Sequence, residues 1–323
     1  MLRRQLIATA ALAAAMPRAV RAQAAWPDRP IRLIVPFPPA GGTDVISREM
    51  AGRIAAATGW NIVIDNRPGA GGNIGLDAVA KAAPDGYTIG MGQAANLAIN
   101  PALYPRMPFD PLTDFALISL VATQPNVLVV GRNAPYRTLA ELVAAGRARP
   151  GSLTAGNAGN GTTGHLAGAM FARAAGIEVV HVPYRGAAPV LTDLLAGRVD
   201  FFFANPLAVK GVLESGDVRA LAVTSATRSR TFPDVPTVAE SGFPGFEAVN
   251  WTGLVAPART PQPIIDRLSA ETRKALAMPE TIARLAAEGS EPFGSTPARF
   301  REFLAEEHAK WGRVVREARI QLD

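Results

Sequence analysis

The chain of 323 residues contains no cysteine and only three histidines. The first absence removes disulfides, thiolate metal sites and cysteine nucleophiles together. His165, His181 and His308 lie far apart and form no H-x-x-x-H pair, so no metal site is expected. There is no block of lysine and arginine. The formal charge is +6, but Arg3, Arg4, Arg18 and Arg21 stand in the first 24 residues, which carry no acid; setting those four aside leaves +2. A chain this near neutral gives no support for nucleic-acid binding. No later segment approaches the roughly 20 apolar residues of a membrane helix. There is no G-x-x-x-x-G-K-[ST] phosphate loop and no G-x-S-x-G nucleophile elbow.

What is present begins with a leader. Arg3 and Arg4 precede an apolar run from Leu6 to Ala15, and Ala22-Gln23-Ala24 is a small-x-small cleavage site. Residues 1–24 are therefore expected to be a signal peptide that is removed, leaving a protein that works outside the cytoplasm. Arg3-Arg4-Gln5-Leu6-Ile7 also resembles a twin-arginine leader, so the Sec and twin-arginine routes both stay open. The remaining chain, roughly 300 residues, is long enough for two α/β domains with a full core.

Strands and helices alternate along that chain. The apolar runs Ile31–Phe37, Asn61–Asp65 and Thr88–Gly92 read as strands. Helices over Thr43–Ala57 and Asn73–Ala82 fall between them, which predicts a parallel βαβαβ unit. Two strand-like runs follow, Phe115–Ala122 and Asn126–Gly131. A second series then alternates the helices Leu139–Arg147, His165–Ala175 and Ala187–Ala196 with strands at Ser152–Ala155, Glu178–Val182, Val199–Ala204 and Ala220–Thr224. A last strand, Val249–Ala256, precedes a tail expected to be all helical. Its final helix opens at Thr296-Pro297, a cap and N1 pair. Phe300, Phe303, Leu304, His308, Trp311, Val314, Val315 and Ala318 share one face of it, where His308 reads as a packed residue. The simplest account is two lobes, 25–124 plus 249–323 and 125–248, crossed twice near 123–126 and 245–250. Two strands joining two lobes make a hinge and a cleft.

Three glycine-rich turns sit between a strand and a helix: Pro36 to Asp44, Pro68 to Asn73, and Gly156 to Gly164. The first amides of a helix lack intrahelical partners, and the helix dipole is positive there, so each turn is a potential anion cradle. One turn alone would read as a tight βα connection; three make that reading less comfortable. Gly159-x-Gly161-x-x-Gly164 formally matches the dinucleotide fingerprint, which keeps an exported NAD-dependent oxidoreductase as the alternative function. The acid that would hold the ribose is missing, because the next strand runs into Pro183-Tyr184-Arg185. Asp44, Asp65, Asp77 and Asp193 form no paired-carboxylate site by spacing. Neutral donors gather instead at the C-terminal ends of the strands, among them Thr43, Asn73, Gln93, Asn157, Thr162, Thr163, Tyr184, Asn205 and Thr224. That rim is where ligands bind in open α/β sheets, and its chemistry suits a small carboxylate.

Several long stretches carry a family resemblance. They include Trp26-Pro27-x-Arg29-Pro30-Ile31, Val35-Pro36-Phe37 with Gly41-Gly42-x-Asp44, and Val63 to Gly75 (VIDNRPGAGGNIG). Further on come Gly159-Asn160-Gly161-Thr162 with His165-Leu166-Ala167-Gly168, Val182 to Gly186 (VPYRG), Ala220 to Ser225 (ALAVTS) and Pro233 to Glu240 (PDVPTVAE). In this order they resemble the tripartite tricarboxylate transporter substrate-binding (Bug) family of periplasmic solute receptors. The resemblance implies a two-lobed periplasmic-binding-protein type II fold, each lobe a mainly parallel sheet flanked by helices. It implies a receptor without catalytic activity or cofactor that closes on a small organic acid and passes it to inner-membrane transporter subunits or a sensor ectodomain. A monomer is expected. Carried onto this chain, the ligand residues are Phe37, Ala40, Gly41, Gly42 and Asp44 on one side and Gly159, Thr162, Thr163 and His165 on the other. Asn73, Gln93, Tyr184, Asn205 and Thr224 are walls. His165 is left open between ligand contact and loop brace. Where the family often reads Phe-Asp-Asn-Leu, this chain has Phe203-Ala204-Asn205-Pro206. The missing carboxylate at Ala204 weakens an amino acid as ligand and suits a plain or aromatic acid better.

Overall fold

The computed structural model describes residues 26–321, and the expected leader lies outside them. Strand β1 (Ile31–Val35) leads through Gly41 into α1 (Gly42–Thr58), and β2 (Ile62–Asn66) follows. A 3-10 turn over Ala70–Gly72 opens α2 (Asn73–Ala80), which precedes β3 (Thr88–Gln93). A π-turn over Ala95–Ile99 then runs into the short helix α3 (Asn100–Leu103). β4 (Phe115–Pro125) passes through Asn126 into β5 (Val127–Gly131). The second series is α4 (Leu139–Ala148), β6 (Leu153–Asn157), α5 (Thr163–Ala175), β7 (Val179–Pro183), α6 (Ala187–Leu195), β8 (Phe201–Ala204), α7 (Pro206–Glu214) and β9 (Val218–Val223). The chain closes with β10 (Val249–Pro257), α8 (Gln262–Leu276), α9 (Pro279–Ala287), β11 (Glu291–Pro292) and α10 (Pro297–Glu317).

The strands form two sheets. One has the order β11-β4-β10-β3-β1-β2 and the other β7-β6-β8-β5-β9. Strands β1, β2 and β3 are parallel, as βαβ crossovers require, and so are β6, β7 and β8. The sheets are mainly parallel as expected, with β10 and β11 reversed in the first and β5 reversed in the second. β10 runs antiparallel to β3 and β4, and β5 runs antiparallel to β8 and β9. The reason lies in the crossings: β5 and β10 are the strands by which the chain enters each sheet from the other, and both run against the βαβ direction.

Three expectations change. β4 does not stop at Ala122 but continues to Pro125, because β10 pairs with it along its whole length, Val249 opposite Pro125 and Pro257 opposite Phe115. The tail is not all helix, since Glu291–Pro292 pairs with Thr123–Ala122 at the sheet edge. Helix α7 has no counterpart in the sequence reading, although Asn205 caps it by accepting from Leu207 N at 3.0 Å and Pro206 takes its first position.

Three buried clusters hold these layers together. One face of the first sheet packs Leu33, Val35 and Met91 against Met50 of α1 and Leu268 of α8. The outer face of the second packs Val129 and Phe202 against Val190 of α6. The third cluster is continuous across both sheets, from Trp311 and Phe300 on α10 through Trp251 to Phe171 and Phe203. Helix α10 also meets α5 through an Arg173–Glu317 ion pair at 2.8 Å. The lobes therefore share a core on one side of the molecule.

Candidate functional site

Two cavities meet near the crossings. One, of ≈ 200 Å³, lies on the second sheet's side and is lined by Thr162, Thr163 and Gly164 at the start of α5, with Ala158, Ala187 and Asn126. The other, of ≈ 120 Å³, lies on the first sheet's side against Gly42 and Thr43 at the start of α1, with Trp251, Thr252 and Ser290. Gln124, Asn205 and Asn250 line both. No Lys, Arg, His, Asp or Glu lines either one.

Each cavity thus has a helix N-terminus in its wall, where unpaired amides and the dipole favour an anion. Thr252 adds an independent sign of a guest. It is 4% exposed, and its hydroxyl has no hydrogen-bond partner in the protein. A buried hydroxyl left unpaired costs about 1–3 kcal/mol, which a ligand oxygen or ordered water can recover.

The local sequence explains why α5 begins where it does. Thr162 caps it, accepting from His165 N at 3.3 Å and donating to Gly159 O at 2.9 Å. A side chain at Gly164 is excluded, because its Cβ would lie 2.3 Å from the Phe203 carbonyl oxygen. The helix start is therefore seated directly on β8. His165 is buried beneath the loop, and its Nδ1 accepts from Gly161 N at 3.2 Å. Its ring centroid lies 5.0 Å from that of His181, whose Nδ1 is 3.3 Å from Asn157 Nδ2. Burial pushes His165 down to about 4, with a further contribution from His181, and burial lowers His181 as well. Both rings are thus neutral at pH 7, and His165 occupies the position of a loop brace.

The first-sheet loop is braced by Asp44. Its carboxylate accepts from Ala40 N at 3.0 Å, Arg48 Nε at 2.8 Å and Asn66 Nδ2 at 2.9 Å. Burial pulls its pKa upward, but hydrogen bonds from Arg48, Asn66 and Ala40 together hold it below the usual range. Asn66 also donates to Phe37 O at 3.0 Å, so the loop from Phe37 to Gly41 is tied to β2. Ala40 takes φ 65, in the left-handed region, at the loop's tip.

Of the residues expected in the site, Gly42, Thr162, Thr163 and Asn205 line the cavities. Others are engaged elsewhere. Asn73 accepts from Asn100 Nδ2 at 2.8 Å, and Tyr184 donates its hydroxyl to Asp193 at 2.5 Å. Gln93 accepts from Asn250 Nδ2 at 3.4 Å and so stands one side chain behind the cavity wall. Thr224 is fully buried: it accepts from Asn126 N at 2.8 Å and donates to Ala248 O at 2.7 Å, joining the two crossing segments. Phe37, Ala40, Gly41, Asp44, Gly159 and His165 stand in the glycine-rich loops or the first turns of α1 and α5, next to the residues that line these two cavities. Sequence reasoning missed Gln124, Asn126, Asn250, Thr252 and Ser290. The first three were legible as polar interruptions at the crossings.

Two α/β lobes, joined by a pair of crossing segments around cavities lined by neutral groups, are the architecture of extracytoplasmic solute-binding receptors. Comparison with known proteins then fixes the family. Residues 46–320 match the family of tripartite tricarboxylate transporter receptors, and the chain belongs to it. BugT of Bordetella pertussis is 40% identical over 298 residues, 92% of this chain and 91% of that protein. The R. palustris protein Rpa4515, solved with adipate, is 38% identical with a TM-score of 0.78, covering 92% of this chain and all of that one (100%). MatC of Rhodopseudomonas palustris, solved with bound malate, is 31% identical with a TM-score of 0.73, covering 90% of this chain and 100% of that one. This is a family of receptors, not enzymes, and nothing in these comparisons supports the oxidoreductase alternative.

Proposed function

We infer that this receptor captures a small organic carboxylate between its lobes, 25–124 plus 249–323 and 125–248. The observation that carries the reading is the pair of adjoining cavities, each with a helix N-terminus and hydroxyls in its wall and no formal charge. Sheet membership supports the division of lobes: β5 to β9 pair only with one another, and the remaining strands pair together. A charge-assisted hydrogen bond from an amide or hydroxyl contributes about 1.5–3 kcal/mol, so a few suffice for micromolar binding once ordering costs are subtracted. Lobe closure would follow from contacts made to the guest only when both helix starts reach it. The acids held by two relatives, adipate and malate, support a carboxylate of that general size.

The leader supports export to the periplasm by the Sec or twin-arginine route, and no helix among the described residues is long and apolar enough to cross a membrane. Family membership supports inner-membrane transporter subunits as the downstream partner, with a sensor ectodomain as the other destination. A thermal-shift panel of mono-, di- and tricarboxylates, aromatic acids and amino acids tests the reading. A ligand present at 100 times its Kd stabilises the fold by about 2.7 kcal/mol. No response to any acid would overturn it.

A further inference from the structure

At the end of α5 away from the cleft, α5 and α10 enclose a cavity of ≈ 510 Å³, larger than the cleft cavities of ≈ 200 and ≈ 120 Å³. Helix periodicity builds it. Met170 and Arg173 stand about one turn apart on α5. Lys310, Arg313, Val314 and Glu317 fall at i, i+3, i+4 and i+7 on α10, so each helix turns a single face into the space between them. Met170 and Val314 belong to the edge of the shared core, which gives the cavity an apolar wall. The segment between β9 and β10 borders it at Gly245, where an added Cβ would meet nothing within 4 Å, so the protein leaves this room unfilled.

The charges around the cavity do not cancel. Arg173 pairs with Glu317 at 2.8 Å, and Lys310 pairs with the buried carboxylate of Glu307. Arg313 is exposed and has neither an ion pair nor a hydrogen bond among the described residues. Glu317 is the one acid in the lining, and it is already engaged. An apolar wall beside one uncompensated guanidinium is the opposite of the cleft, which is polar and carries no charge. A guanidinium presents a rigid fork of donors suited to a carboxylate or another oxyanion, and organic guests bind where apolar walls carry a few placed polar groups. We propose that this cavity is a second binding site, separate from the cleft, for an amphiphilic monoanion. The ring or alkyl body of such an acid lies against Met170 and Val314, and its carboxylate or sulfonate meets Arg313. The occupant touches helices from both sheets, since α5 is seated on β8 and α10 packs Phe300 against Trp251 of β10. The proposal does not depend on which guest occupies the cleft.

The test is a fluorescence titration of the leader-free receptor with 8-anilinonaphthalene-1-sulfonate, a two-ring body bearing one sulfonate. N-phenyl-1-naphthylamine, the same body without the charge, is the comparison. Arg313→Gln removes the free cation at an exposed position, Ala174→Leu narrows the cavity from α5, and Thr252→Val alters the cleft alone. Thermal melts establish that each variant is folded. The wild type is expected to bind one sulfonate probe per chain and to prefer it over the uncharged one. Arg313→Gln and Ala174→Leu should each weaken that binding about tenfold or more, and Thr252→Val should leave it unchanged. Equal binding by wild type, Arg313→Gln and Ala174→Leu overturns the site. So does a loss seen only in Thr252→Val, which would put the probe in the cleft. Equal affinity for the charged and uncharged probes would overturn the anion assignment, and no binding by the wild type would overturn the proposal outright.

Discussion

Trp251 donates its indole N–H to the buried carboxylate of Glu307 at 2.8 Å, and the same oxygen accepts from Trp311 at 2.7 Å. Trp251 lies on the strand that returns from the second sheet and lines the smaller cavity, whereas Glu307 and Trp311 belong to the last helix. Lys310 pairs with the other oxygen of Glu307 and donates to Glu247 O at 3.3 Å. One carboxylate thus fastens the final helix to the hinge and to the cavity wall.

Glu307→Ala leaves two buried indole donors and an ammonium without their acceptor. Breaking a buried pair from one side costs about 3–5 kcal/mol, and urea unfolding should show a loss of that order. Glu307→Gln retains an oxygen for the indoles and should lose less. A loss under about 1 kcal/mol for the alanine variant would show that water replaces the carboxylate.

Thr162→Ala removes the cap of α5 and a hydroxyl from the larger cavity's wall. Stability should fall by about 1 kcal/mol and ligand binding by about 1 kcal/mol or more. Thr162→Ser restores both. Unchanged affinity by calorimetry would take Thr162 out of the site.

Thr224→Val conserves shape but deletes the hydroxyl that joins Asn126 to Ala248. Unfolding should show a loss of about 1–3 kcal/mol, because a buried amide and a carbonyl are left short of a partner. Ligand affinity at saturating stability is expected to change little. A large affinity loss with unaltered stability would return Thr224 to the cavity wall.

Acid should weaken the fold through the two histidines beneath the glycine loop. Their pKa values are depressed in the folded state, so the unfolded chain binds more protons and stability falls as pH drops. For His165 the contribution is complete above about 6.5 and is lost progressively toward about 4, its folded value. Protonation of the folded receptor also costs Nδ1 its capacity to accept from Gly161 N, so affinity should hold down to about pH 5 and decline only as pH approaches about 4. Melting curves of His165→Gln should show a flatter pH dependence there; an unchanged slope would assign the effect to other groups.

The periodic parts of this fold were legible because burial writes itself into sequence. Strands such as Ile31–Val35 and the capped helix at Thr296-Pro297 show their apolar spacing and punctuation directly. The family stretches likewise pointed to the loops around Gly42 and Thr162. The roles of individual polar residues were harder to read. Thr224, Tyr184 and Asp44 stand at strand ends or helix starts, as cavity-wall residues do, yet their partners are Ala248, Asp193 and Asn66, and only the tertiary structure brings those near. Glu307 carries no signal of its own in the sequence; its burial follows from two indoles that converge only when α10 packs on β10. Gln124 falls between two strand runs and Asn250 on a third; each shows as a polar residue at a crossing, but only the structure shows that both line the cavities.

The uncharged lining of both cavities has a consequence for the setting in which such a receptor works. An outer compartment shares the small ions of its surroundings, and dissolved salt damps attraction between exposed charges over about 10 Å at 0.1 M. Dipoles in direct contact with a desolvated guest are shielded far less. On the proposed reading capture depends on fit at short range, so affinity for the acid should change little as ionic strength rises.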